Sequence, residues 1–103
     1  MPVAFFVVRS TVSDPAKRIA FDNWYRNELL PDAVSSFRVQ KAWRFWSLTD
    51  PTIHQATYQF TDDAALDRAV KEEVPRLVAK FESAWPEVTR IVESFVLAQE
   101  VGA

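Results

Sequence analysis

Two residues in this chain have the chemistry of a general acid or base, and they lie far apart in the sequence. The first, Glu28, falls on the apolar stripe of a predicted helix. At about 100° per residue, an arc of roughly 140° holds Phe21, Trp24, Tyr25, Glu28 and Leu29. Burial among rings disfavours an ionised carboxylate, so this position predicts a catalytic acid or base. The alternative is a structural role, in which Glu28 reaches solvent at the helix end or pairs with Arg44 or Arg9.

The second candidate is His54, the only histidine of the chain. It follows a predicted turn and alternates in phase with Ala56, Tyr58 and Phe60. If this face of the strand lines a pocket, His54 can share a proton with Glu28 or bind a ligand oxygen. If the face points away, His54 is a surface or strand-edge histidine.

Aromatic residues make up 14% of the chain, and side chains this large must be covered by other parts of the protein to leave water. Trp43 and Trp46 lie three residues apart on a predicted strand, so they occupy opposite faces, and Arg44 shares a face with Trp46. We predict that one tryptophan lines a cavity for an aromatic or polyketide-like ligand. The predicted ligand-binding residues are Phe21, Trp24, Tyr25, Arg44, Trp46 and Tyr58. Core packing is the alternative role for each of these rings.

Several kinds of site are excluded by composition. The only glycine is Gly102, so a glycine-rich phosphate loop or dinucleotide fingerprint cannot form. One histidine and no cysteine cannot supply the usual zinc ligands within one chain, and no serine lies in a glycine-flanked nucleophile elbow. The sequence therefore predicts a protein that needs neither a metal nor a cofactor.

Charge and length limit the possible partners and the domain organisation. A net charge of -2 argues against non-specific binding to nucleic acid or to an anionic membrane. There is no run of about 18 apolar residues, and the start of the chain lacks a basic leader. We therefore expect a single cytoplasmic domain covering 1–103.

The elements that must position the candidate residues follow from the apolar patterns and the turn signals. The sequence predicts a strand over 3–8, a helix from Asp14-Pro15 to about Leu30, hairpin strands over 37–48 and 53–60, a helix that begins at 61–63, is interrupted at Pro75 and ends at Trp85-Pro86, and a strand over 91–101. This order is βαββαβ.

A βαββαβ order predicts a ferredoxin-like α+β fold, in which a four-stranded antiparallel sheet carries two helices on one face. We expect the first and last strands to lie side by side in the middle of that sheet. Both strands are apolar on both faces, so the face without helices predicts a homodimer that packs sheet against sheet. The alternative cover is a loop or the end of the chain, 101–103.

Three stretches carry a resemblance to a known superfamily: FDNWYRNELLPD (21–32), AWRFWS (42–47) followed by Asp50-Pro51, and HQATYQF (54–60). The chain resembles the dimeric α/β barrel superfamily, especially its EthD-like and uncharacterised members. In those proteins an aromatic pair is followed by Glu-His and a proline. Here Leu29 stands where they often carry the histidine.

The resemblance implies a homodimer with a composite barrel and a small apolar pocket between helices and sheet. Activities across the superfamily include cofactor-independent monooxygenation, lactone isomerisation, polyketide cyclisation and haem chemistry, so it selects no reaction. Two interpretations stay open: a cofactor-independent EthD-like, cyclase or isomerase enzyme, or a non-catalytic binding or structural module. A pocket holding a buried Glu28 favours the enzyme, and one filled by Trp24, Trp43 and Phe81 favours the module.

Overall fold

The computed structural model describes residues 3–39 and 41–98. Its strands are β1 (Val3–Thr11), β2 (Lys41–Trp46), β3 (Ile53–Phe60) and β4 (Thr89–Ala98). Its helices are α1 (Arg18–Trp24), α2 (Leu30–Phe37), α3 (Asp63–Glu72) and α4 (Val74–Ala84). A 3-10 turn, Pro15–Lys17, precedes α1, and a π-helical turn, Tyr25–Leu29, joins α1 to α2. The predicted βαββαβ order is confirmed, with each helical arm built from two α-helices.

The four strands form one antiparallel sheet in the order β2-β3-β1-β4. The prediction that the first and last strands are neighbours is confirmed. The prediction that both lie in the middle is wrong, because β1 and β3 are the central pair and β4 is an edge strand. Each helical arm connects two parallel strands that have a third strand between them. The first arm crosses the position that β3 fills, and the second crosses β1, so β4 reaches the outer edge.

The predicted helix signals act at the expected residues. The side chain of Asp14 accepts a hydrogen bond from the Ala16 N–H, and that of Asp62 accepts one from the Ala65 N–H, so both cap a helical arm. Pro75 lies in the first turn of α4, where a missing N–H costs no helical hydrogen bond. The second arm is therefore interrupted near Pro75, as predicted.

The first arm is longer than predicted, because it does not end before Pro31. The Leu30 N–H bonds to the Tyr25 carbonyl oxygen, five residues earlier, and this wider turn precedes Pro31, which has no N–H to donate. The helix then continues through Phe37, which the sequence had assigned to the hairpin. It ends at Arg38, whose φ of 54° is left-handed.

Both helical arms cover one face of the sheet, and the core lies between them. Along β3 the burial alternates strictly, with the residues from His54 to Phe60 that share the parity of His54 buried beneath the helices. From α4, Leu77 and Phe81 are buried. The helix-facing side of the sheet therefore carries the predicted candidates His54 and Tyr58.

The opposite face of the sheet is partly apolar. Phe5 and Val7 of β1 and Trp43 and Phe45 of β2 point away from the helices, and Phe45 is 52% exposed. Lys41 places its Nζ 4.7 Å from the Trp43 ring centroid. The two-sided apolar character predicted for the first strand is thus present. The two-sided apolar pattern predicted for the last strand beyond Ile91 falls on side chains that the structure does not describe.

Candidate functional site

A cavity of about 40 Å³ lies between the helices and the sheet. Its walls include Phe6 and Tyr58 from the sheet, Tyr25 and Leu29 from the π-helical turn, and Leu77 and Phe81 from α4. A cavity of this size holds only a few water molecules. A ligand with an aromatic ring therefore needs the walls to move apart.

Two of the residues that line this cavity are tyrosines whose hydroxyl groups form a pair. The Tyr25 and Tyr58 hydroxyl oxygens are 2.9 Å apart, and the two side chains are 1% and 2% exposed. Burial raises the pKa of Tyr25 well above its usual value and that of Tyr58 to about 12. Both hydroxyls are therefore protonated at neutral pH. Whichever one donates to its partner, the other keeps a hydrogen free for a ligand oxygen.

Glu28 does not lie in the cavity. The expectation that it sits among Phe21, Trp24 and Tyr25 is wrong, because its side chain is exposed, whereas Leu29 is buried and lines the cavity. The π-helical turn explains the difference. It rotates less per residue than an α-helix, so Leu29 falls beneath Tyr25 and Glu28 turns outward. The alternative in which Glu28 reaches solvent agrees with this exposure, whereas Arg44, one of the two pairing partners considered for Glu28, pairs with Asp22.

His54 lies in a polar network beside the cavity. The Asp22 Oδ1 accepts hydrogen bonds from Arg44 Nη1 at 2.8 Å and from Trp46 Nε1 at 2.9 Å. Arg44 Nη1 also lies 3.1 Å from His54 Nε2. A guanidinium only donates, so Nε2 accepts, and the neutral ring carries its hydrogen on Nδ1. We call Asp22, Arg44, Trp46 and His54 the polar network.

The environment of His54 keeps its ring neutral. The side chain is fully buried, and its ring centroid lies 4.7 Å from that of Tyr25 and 5.4 Å from that of Phe21. Burial lowers the pKa of His54 to about 4, and the nearby Arg44 charge acts in the same direction. Among the described residues, His54 Nδ1 and Ser10 Oγ are the buried side-chain atoms without a hydrogen-bond partner. Neutral His54 can therefore donate through Nδ1.

Asp22 is the member of the network that the sequence analysis missed. Burial raises the pKa of its carboxyl group, but the hydrogen bonds from Trp46 and Arg44 outweigh that effect and lower the pKa below its usual value. The helix placed Asp22 at the margin of the apolar stripe. Arg44 and Trp46 share one strand face. The sequence signals that could have indicated this contact were the position of Asp22 beside the stripe and the shared strand face of the two donors, Arg44 and Trp46.

A second acidic residue joins the two helices that line the cavity. Asp32 of α2 accepts hydrogen bonds from both terminal nitrogens of Arg76 and from Lys80 Nζ, each at 2.9 Å. Arg76 and Lys80 belong to α4. The Arg76 bonds hold the pKa of the Asp32 carboxyl well below its usual value. These ion pairs link α2 and α4, two of the helices that line the cavity.

The other predicted ligand-binding residues divide between the network and the core. Arg44 and Trp46 belong to the polar network, while Phe21 is fully buried and packs edge-on against the rings of Trp46 and His54. Trp24 is half-buried and packs on Phe81 and Trp85. Trp43 lies on the other face of the sheet. The pocket thus holds neither a buried Glu28 nor the predicted tryptophan filling.

Neither a metal cluster nor a membrane-spanning helix occurs in the described part of the chain. No three His, Cys, Asp or Glu side chains in residues 3–39 and 41–98 come together in a way that could hold a metal ion. Over the same residues, every helix is too short or too polar to cross a bilayer.

Several solved structures share this fold over nearly the whole chain. A conserved protein from Methanosarcina mazei Go1 is 15% identical, with a TM-score of 0.67 over 93% of this chain and 94% of its own. SnoaB, a cofactor-independent oxygenase from Streptomyces nogalater, is 17% identical, with a TM-score of 0.63 over 100% of both chains. A dimeric ferredoxin-like protein from an uncultured marine organism is 13% identical, with a TM-score of 0.63 over 98% of this chain and 100% of its own.

No family model matches the sequence, and no curated protein matches it. The structural likeness extends over whole chains at low sequence identity, so it shows the backbone architecture and not a reaction. Together with the observed βαββαβ order and the β2-β3-β1-β4 sheet, it identifies the fold. This chain has a ferredoxin-like α+β fold.

Proposed function

We propose that this chain binds a small aromatic molecule that carries an oxygen substituent, in the cavity between helices and sheet. The observation that carries the proposal is the Tyr25–Tyr58 hydroxyl pair at 2.9 Å, formed by two residues that line an otherwise largely apolar cavity. Apolar pockets with a few placed polar groups are typical of small-molecule sites. The rings of the ligand would pack against Phe6 and Phe81, and its oxygen would accept the free tyrosine hydrogen.

The activity that best fits this arrangement is cofactor-independent chemistry on the bound molecule. A tyrosine hydroxyl aimed at a ligand oxygen stabilises negative charge that develops there, as in an enolate or phenolate. Because both tyrosines hold their protons at neutral pH, they act as donors and not as bases. The cofactor-independent oxygenase SnoaB has the same fold, which supports an activity of this class without selecting the reaction.

A second candidate is a binding module without catalysis, and Leu29 favours it. The resemblance places a histidine at that position, and Leu29 lines the cavity here. A side chain that moves no protons then faces the ligand, and Glu28 points to solvent. Oxygen uptake separates the two candidates. Consumption of dissolved oxygen with a hydroquinone present favours the enzyme, and binding without uptake favours the module.

The tyrosine pair is tested with two ligands of similar shape. We expect phenol to bind wild type more tightly than toluene, because only phenol can hydrogen bond to the pair. The double substitution Tyr25→Phe with Tyr58→Phe should weaken the binding of phenol about tenfold and leave the affinity for toluene unchanged. Chemical-shift titration by NMR measures both affinities, and toluene is the internal control for an intact cavity. Equal affinities for phenol and toluene in wild type would contradict the proposed role of the pair.

The face of the sheet without helices is proposed as a homodimer interface. Its support is the exposed Phe45 beside Trp43, together with the dimeric ferredoxin-like protein among structures of this fold. Light scattering should give twice the 11.8 kDa of one chain. Phe45→Lys should shift the protein to the monomer, because it places a charge in the interface. The matched control is Ile19→Lys. Ile19 is 76% exposed on a helix, so this substitution should leave the dimer intact.

A further inference from the structure

The inner cavity borders an open surface groove, and Arg90 belongs to both. The groove is lined by Glu82, Pro86, Val88 and Thr89, and it shares Val78 and Arg90 with the cavity. Arg90 is the one charged residue among the described residues that line the cavity. A molecule that extends from the cavity into the groove would therefore pass a guanidinium.

Arg90 is held at this boundary by a partner that a ligand can replace. Its Nη2 lies 2.7 Å from the Glu82 Oε1, and its guanidinium carbon lies 5.1 Å from the centroid of the Phe81 ring. The Arg90 side chain is 17% exposed, whereas that of Glu82 is 60% exposed. The Glu82 carboxylate is well solvated when it leaves, but the mostly buried Arg90 guanidinium would then lose its opposite charge. A ligand carboxylate that takes the place of Glu82 restores that charge, so exchanging one carboxylate for the other keeps Arg90 paired.

We infer that the ligand is an aromatic carboxylate whose ring enters the cavity and whose carboxylate replaces Glu82 on Arg90. This inference rests on the proposed ligand site. A guanidinium presents two parallel N–H donors that match both oxygens of a carboxylate, and Glu82 uses only Nη2 in the present contact. Phe81 connects the two parts, since its ring lines the cavity and lies beneath the guanidinium. A short spacer between ring and carboxylate fits this arrangement.

The probes are phenylacetate and its uncharged analogue phenylacetamide, titrated by NMR against the full chain. Phenylacetate should bind wild type more tightly than phenylacetamide does. Arg90→Gln should weaken the binding of phenylacetate at least about tenfold and leave the affinity for phenylacetamide unchanged. Glu82→Gln, an exposed change that leaves the fold intact, should strengthen phenylacetate because the competing carboxylate is gone. The matched control is Arg68→Gln, which removes a surface arginine paired with Glu72 elsewhere and should change neither affinity.

The outcomes separate this inference from the proposed function. Equal affinities of the two probes in wild type, or equal weakening of both by Arg90→Gln, would overturn the role of Arg90 and leave the cavity as a binding site for uncharged rings. A failure of both probes to bind wild type and Glu82→Gln would overturn the ligand site itself, and the inference with it. Stronger binding of phenylacetate alone in Glu82→Gln supports the exchange of carboxylates.

Discussion

Lowering the pH from 6.5 to 4 should reduce the free energy of unfolding by on the order of 3 kcal/mol through His54 alone. The pKa of His54 is about 4 in the folded protein, against 6.5 for an ordinary histidine. Between these pH values the histidine is largely protonated in the unfolded chain but largely neutral in the folded protein. The free energy of unfolding therefore falls as the pH falls. The contribution is complete above pH 6.5. Urea unfolding at a series of pH values measures it.

The substitution His54→Gln isolates this effect. Glutamine can still accept a hydrogen bond from Arg44 but does not titrate, so the variant should lose much less stability over the same pH range. Asp22 and Asp32 have lowered pKa values. Their contributions to the free energy of unfolding are therefore present above about pH 3.8 and are lost only as the pH falls further. They therefore act below the His54 window. Parallel pH curves for wild type and His54→Gln would rule out His54 as the cause.

Asp22→Asn should destabilise the protein by about 2 kcal/mol at neutral pH. Asp22 is the carboxylate that faces Arg44, and the Arg44 side chain is only 16% exposed, beside a neutral histidine. Removing the negative charge leaves a mostly buried guanidinium without an opposite charge. The cost is set below that of a fully buried pair, because Asp22 is 30% exposed and water compensates part of the loss. Urea unfolding at pH 7 gives the difference.

The matched control is Glu28→Gln, the same carboxylate-to-amide change in the same helical arm. Glu28 is exposed, so we expect a change within about 0.5 kcal/mol. Similar losses from both substitutions would mean that the Arg44 contact contributes little and that the arm is sensitive to any such change. A large loss from Glu28→Gln alone would restore Glu28 to a structural role that its exposure argues against.

Much of the fold follows from local signals that the sequence carries. Alternation from His54 to Phe60 defined β3 and its buried face, because side chains on a strand alternate with a period of two. Asp14, Asp62 and Pro75 marked the helix starts, because caps and proline act within one turn. The βαββαβ order then limited the fold to the ferredoxin-like architecture.

The position of the last strand needed the tertiary structure. Its apolar pattern is compatible with a central or an edge position, since a covered edge is buried on both faces as well. The order β2-β3-β1-β4 arises from two crossovers that each skip one strand. That choice depends on how the helical arms pack on the sheet, and no short segment of sequence specifies it.

The candidate site shows the same division between local and distant information. The sequence by itself determined that His54 shares a strand face with Tyr58 and that Arg44 shares one with Trp46, because alternation fixes which side chains of one strand lie together. The cross-strand register of the structure places both pairs on the same side of the sheet. Only the tertiary structure decided which acid meets them. One π-helical turn rotated Glu28 to solvent and Leu29 to the cavity, while Asp22 reached Arg44 from 22 residues away in sequence. The reason is physical: a wider turn and a distant contact depend on packing between elements, which periodicity within one element does not record.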